Sequence, residues 1–203
     1  MRINTVRLRV LLGALGGSLS IIVAVLVGYI PESISATWYT NACTPFMIIL
    51  GASSVLLISY KGYERIDDIL LTCSGLAGLG ICLFPCAVYP FTGDVGPFKL
   101  DMAISGTLHY IFAIIFFVLL AYNSIFLFTK STGEMTKKKR ARNIIYRICG
   151  VGMVASFAIL LLPYFRIQVW LTEAIALAFF AVSFLTKANV IPFLFCDGKG
   201  EKE

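Results

Sequence analysis

The residues of this chain with side chains able to do chemistry are few and far apart. The sole histidine, His109, stands in the run LHYIFAIIFF (Leu108–Phe117), and Glu173 stands in a later apolar run that starts near Trp170. On a helix, Ser105, His109 and Asn123 share one face, four and then fourteen residues apart, while Glu173 and Lys187 share another by the same fourteen-residue interval. A carboxylate close to an imidazole raises its pKa and can make a proton-sensitive switch. The same groups could contact a ligand or act as a base on lipid, or each could simply bond a loop backbone or a headgroup. No nucleophile elbow, Walker loop, HExxH or paired-carboxylate motif accompanies them, so no catalytic residue is assigned.

Metal chemistry fares no better. One histidine cannot supply a histidine-rich zinc site, and Cys43, Cys73, Cys82, Cys86, Cys149 and Cys196 form no CxxC pair, so neither metal nor cofactor is expected. Cys43 and Cys86 fall at similar depth near the outer ends of neighbouring helices, where a disulfide is chemically permitted. Buried thiols acting as small hydrophobes are the favoured reading, with the bridge as the alternative.

The elements that must position these residues follow from hydropathy. Of 203 residues, 59% are hydrophobic and only 14% charged, against about 45–50% and about 25% in soluble domains. The apolar residues gather into six runs, at about 10–30, 42–60, 69–89, 104–129, 144–163 and 169–190, each close to the length needed to cross about 30 Å of hydrocarbon. They leave no room for a separate soluble domain. The expectation is an all-α membrane protein, a single antiparallel bundle of six transmembrane helices. The first run is too long for a signal-peptide core and has no clear cleavage site after it, so it reads as a retained span. Gly13 and Gly17 give helix one a GxxxG packing face; Ser74, Gly75, Gly78 and Gly80 do this for helix three, and Ala174, Ala178 and Ala181 for helix six. Pro85 and Pro90 end helix three and Pro163 ends helix five.

Charge sets the orientation. Arg2, Arg7, Arg9, Lys61, Arg65, Lys130, Arg147, Lys187, Lys199, Lys202 and the run Lys137, Lys138, Lys139, Arg140, Arg142 all fall on one side of six spans; Lys99 and Arg166 fall on the other. By the positive-inside rule both termini are cytoplasmic. The net charge of +6 is therefore a topology signal and a contact for anionic headgroups, with a docking site for a cytoplasmic partner the alternative. Nucleic acid is not expected.

Counting from the charged turns places His109 and Glu173 at the outer edge, under the first outer loop with its Tyr39 and Asn41. The favoured expectation is a non-enzymatic bundle whose outward-facing polar vestibule, lined by Tyr39, Asn41, His109 and Glu173, binds a lipid, a hydrophobic small molecule or a membrane partner. An oligomeric channel or proton-coupled carrier is the second class, and a lipid-modifying membrane enzyme the third. Expected partners are membrane lipids and, beyond them, a membrane or cytoplasmic protein or further copies of the chain.

The segments LLISYKGYERIDDIL (Leu56–Leu70), GLGICLFP (Gly78–Pro85), LHYIFAIIFF (Leu108–Phe117) and RNIIYRICG (Arg142–Gly150) resemble small uncharacterised bacterial integral membrane proteins of the DUF998 type. The resemblance implies a six-helix bundle in the bacterial cytoplasmic membrane and brings no activity with it.

Overall fold

The computed structural model describes residues 5–88, 92–131, 135–161 and 168–190. Pro90, Pro163, Arg166, Cys196, and the basic residues Arg2, Lys199 and Lys202 lie outside the described residues. Among these residues six helices follow one another up and down: α1 (Thr5–Val27), α2 (Cys43–Ile58), α3 (Arg65–Leu83), α4 (Met102–Tyr122), α5 (Lys137–Ala158) and α6 (Val169–Lys187). A 3-10 turn at Ser35–Tyr39 precedes α2, and α4 runs on into a π-helical turn at Asn123–Leu127. Ahead of α4, a two-residue antiparallel hairpin pairs β1 (Asp94–Val95) with β2 (Leu100–Asp101).

Local chemistry sets the boundaries. α1 stops at Gly28, whose φ of +84° closes the helix with a bond from its N–H to the Ala24 carbonyl. α3 opens on a capping box between Glu64 and Asp67 and ends before Pro85, which holds Phe84 extended. It therefore ends earlier than the apolar run suggests. α5 starts earlier than its run, because Thr136 caps it by accepting from the Lys139 N–H. Asp101 caps α4 in the same way through Ala103 N.

Among the described residues, α1, α3, α4 with its π-helical extension, and α6 are long and apolar enough to cross a membrane. α2 has 16 residues, about 24 Å at 1.5 Å per residue, and α5 spends its first turns on the basic run Lys137–Arg142.

In space the helices form a ring in the order α4, α3, α2, α1, α6, α5, closing back on α4. One end of the ring carries Lys61, Lys130 and the start of α5, and is the basic end. The other carries residues 28–42, 84–88, 92–101 and the start of α6. From the basic end inward, Leu12, Leu57, Leu120, Phe180 and Phe184 pack into a buried apolar layer. Ser124 and Ser183 join α4 to α6 there through a 2.7 Å hydroxyl pair.

Glycine sets the distance between neighbouring helices. A Cβ at Gly13 or Gly16 would strike Leu185 or Phe180 of α6, and one at Gly17 would touch Ala181. Gly75 lies against the Ser54 carbonyl of α2, Gly80 against the Phe112 ring of α4, and Gly152 against the Phe179 ring of α6. At the basic end, Lys130 Nζ bonds Asp67 at 2.7 Å and Glu64 at 2.8 Å, tying the α2–α3 turn to the segment before α5. Asp67 is 1% exposed and also accepts from the Tyr63 and Glu64 N–H groups.

Two outcomes follow. Gly75→Ala pushes a methyl into a backbone carbonyl that cannot move aside and costs about 2 kcal/mol, whereas Gly51→Ala, with nothing within 4 Å of the new methyl, gains up to about 1 kcal/mol of helix propensity; unfolding of both variants in detergent checks the contrast. The bonds from Asp67, and secondarily from Glu64, raise the Lys130 pKa above its usual 10.5. That stabilisation is complete below the usual value and is lost as pH rises through the raised one. Thermal stability should therefore fall at strongly alkaline pH by a component that is missing in Lys130→Met.

Candidate functional site

The ring is tight where α4 and α5 meet near the basic end and opens toward the other end. There it encloses a cavity of about 550 Å³ that draws its walls from all six helices. Leu19, Phe46, Ile81, Phe116, Met153 and Leu177 make most of the wall apolar. Tyr110, Ile114 and Val118 of α4 and Val154 of α5 line it and are also exposed on the outer surface of the bundle, so the cavity reaches the side of the molecule between these two helices.

The polar part of its wall gathers at the end away from the basic one, where His109 and Glu173 stand with Glu32, Ser33 and Ser35. His109 is buried and its Nδ1 lies 2.8 Å from the Phe84 carbonyl. A carbonyl only accepts, so Nδ1 carries the proton. One turn earlier, Ser105 donates to the Pro85 carbonyl at 2.9 Å. The stripe that polar spacing marks on α4 thus serves carbonyls left without helical partners where Pro85 stops α3. Glu173, half-buried in the second turn of α6, accepts from the Ile34 N–H at 2.5 Å and from the Ser35 hydroxyl at 3.4 Å. The Trp170 N–H bonds the Glu32 carbonyl at 2.9 Å, so the start of α6 holds residues 32–35 down as a roof over the cavity.

His109 and Glu173 therefore line one cavity, each bonded to a different stretch of backbone and not to the other. The two other residues expected in the vestibule lie elsewhere. Tyr39 donates its hydroxyl to the Cys86 carbonyl at 2.7 Å, and Asn41, exposed, donates to the Leu26 carbonyl at 2.9 Å. Both brace the first outer loop from outside the cavity. Burial, and to a lesser degree Cys86, pushes the Tyr39 phenol up to about 12, so it keeps its proton and remains a donor. Their place in the wall is taken by Ile34, Ser35 and aromatic and aliphatic side chains of α2, α4 and α5, which no polar pattern in the sequence marks.

Cys43 and Cys86 are both free thiols, so the permitted bridge is not formed. The Cys43 thiol donates instead to Met47 Sδ of its own helix at 3.8 Å. Among the described residues no group of three or more His, Cys, Asp or Glu side chains is placed to hold a metal ion.

The basic run divides. Lys137 and Arg140 are exposed and Lys138 half-buried, but Lys139 is buried and donates to the Phe128 and Lys130 carbonyls at 3.3 and 2.9 Å. Arg142 donates to Asn189 Oδ1 at 2.9 Å. Lys139 thus works as a structural clasp across the α4–α5 connection and is turned away from any surface partner.

Compared with known proteins, the chain matches no family model, no curated protein and no solved structure.

Removing the Glu173 carboxylate leaves the buried Ile34 N–H without an acceptor. Glu173→Ala should lose about 2 kcal/mol and speed hydrogen exchange at residues 33–36, while Glu173→Gln, which keeps one carbonyl oxygen for that N–H, should sit close to wild type in both measurements.

Proposed function

We propose that this chain is a six-span membrane protein that binds one lipid or small hydrophobic molecule in the cavity between α4 and α5. The observation that carries the reading is the cavity itself, apolar over most of its wall, polar at one end where His109 and Glu173 stand with Glu32, Ser33 and Ser35, and bordered by side chains exposed on the flank of the bundle. Pockets of about 300–1,000 Å³ with apolar walls and a few fixed polar groups are the usual form of a small-molecule site. A hydrophobic ligand would enter sideways between Tyr110, Ile114 and Val154, and place its polar end at Glu173 and at Nε2 of His109.

Six spans are supported by the outward faces. Ile21 and Val25 of α1, Ile48 and Val55 of α2, Ile114 of α4, and Ile148 and Val151 of α5 are all exposed. This apolar coat includes α2 and α5, the two helices that length or composition alone leaves short. With the basic end inside, the charge asymmetry puts both termini in the cytoplasm, and the resemblance to DUF998-type proteins points to the cytoplasmic membrane of a bacterium. The cavity then faces outward. A binding role is favoured over conduction because Leu12, Leu57, Leu120 and Phe180 fill the bundle between its two ends.

The protein purified in mild detergent should carry one copy of a hydrophobic ligand, visible by native mass spectrometry and identifiable after solvent extraction. Ala113→Trp fills the middle of the cavity and should remove the adduct while leaving the helical circular dichroism unchanged. Purified wild type with no bound hydrophobe, or an adduct that survives Ala113→Trp, would overturn the reading.

A further inference from the structure

The wall of the cavity between α4 and α5 carries charge of one sign. Glu32 and Glu173 both line it, and among the described residues no lysine or arginine does. Neither carboxylate is joined to a cation. The ion pairs of the described residues all lie at the basic end, and Glu173 is bonded by the Ile34 N–H at 2.5 Å and the Ser35 hydroxyl at 3.4 Å, both neutral. A carboxylate has about four acceptor sites, so capacity remains for a further donor. An isolated negative charge set in an apolar wall is costly, and a cation brought to it lowers that cost.

The surroundings have the same sign. At the end of the bundle where α6 begins, Glu32, Asp94, Asp101 and Glu173 stand against Lys99 among the described residues. Arg166 of the α5–α6 connection adds one cation to that count and leaves the excess acidic. Such a field gathers cations and turns anions away.

The second, independent observation is the hydrogen-bonding character of the polar end. His109, 3% exposed, lines the same cavity. Its Nδ1–H is engaged by the Phe84 carbonyl at 2.8 Å, so the other ring nitrogen, Nε2, only accepts. The backbone N–H groups of Ile34 and Trp170 are engaged by the Glu173 carboxylate and the Glu32 carbonyl. What remains there is mostly acceptors, and acceptors call for a donor.

We infer, resting on the hydrophobe site proposed above, that the ligand of this cavity is an amphiphile whose head is a positively charged, N–H-bearing nitrogen, paired with the Glu173 carboxylate and bonded to Nε2 of His109. Glu32, exposed at the same end, adds to the negative field. An ammonium group supplies the missing counter-charge and up to three donors at once. Its bonds to a carboxylate are roughly twice as strong as those between neutral groups. A fatty carboxylate would instead bring a further negative charge to the same place. The amino headgroup of a phospholipid and a free long-chain amine share this chemistry, and the two sources separate experimentally.

The test is native mass spectrometry of the full chain in mild detergent, with dodecylamine, dodecanol and dodecanoate as probes of one chain length, and with phosphatidylethanolamine against phosphatidylcholine. Wild type should hold dodecylamine about tenfold more tightly than dodecanol, and dodecanoate least. Glu173→Gln, which keeps an acceptor for the Ile34 N–H, should lose that preference by weakening the amine while the alcohol binds as before. Glu32→Gln should lower the preference less, and Arg140→Gln, at the basic end, should leave it untouched. Ala113→Trp should lose all three probes. Retention of phosphatidylethanolamine over phosphatidylcholine assigns the site to a lipid headgroup, and indifference between them assigns it to a free amine. Equal binding of the three heads, a preference for dodecanoate, or an amine preference intact in Glu173→Gln overturns the amine while the hydrophobe site stands. No bound hydrophobe of any head, native or added, overturns both.

Discussion

Close approach of helix backbones at glycine is the constraint on which the rest of this structure depends. In a hydrocarbon surrounding, apolar faces gain nothing by leaving solvent, so packing must come from short distances and interhelical hydrogen bonds. Gly13 and Gly16 admit α6, Gly75 admits α2, Gly80 admits the Phe112 ring, and Gly152 admits the Phe179 ring. The α4–α5 seam shows what happens without such a residue. Near the basic end Gly150 lies against the Ala121 carbonyl and Ile125, and the seam is shut. Farther along, α5 presents Val154 and Phe157 to Ile114 and Phe117 of α4, no glycine intervenes, and the helices part around a cavity.

The two ends of the bundle solve their polar bookkeeping in different ways. At the end where α6 begins, Glu173, His109 and Ser105 each satisfy backbone groups that loops and a proline-terminated helix leave behind. Their first duty is structural, and the cavity gains its polar pole as a consequence. At the basic end, charges meet charges in the Lys130–Asp67–Glu64 cluster.

Much of the fold was legible. Six long apolar runs became six helices in up-and-down order, and the small-residue faces of α1 and α3 became contact faces, because period and side-chain size act locally. Helix ends were less legible. The capping by Thr136 and the extended Phe84 before Pro85 shifted α5 and α3 by several residues, since apolar content says little about where a backbone stops being helical. The site was legible only in part. Spacing marked the faces of His109 and Glu173, which do line one cavity, but the count of depth also set Tyr39 and Asn41 beside them, whose side chains turn to the Cys86 and Leu26 carbonyls. Arg9 read as an ordinary charge at a helix end and Lys187 as part of the polar face that Glu173 begins; their meeting depends on α1 and α6 being neighbours, which chain order hides.

The amino-acid sequence by itself determined the class of this protein, since no arrangement of a chain with so much apolar content in runs of this length can bury it all in water. It also determined which residues are titratable near the ends of those runs. Only the tertiary structure decided which of them face each other, that His109 and Glu173 are bonded apart, that Lys139 points inward, and that α4 and α5 separate at one end alone. Those outcomes turn on differences of one methyl group at helix crossings, and on which backbone carbonyls are left without partners. Neither quantity exists until the helices have been brought together.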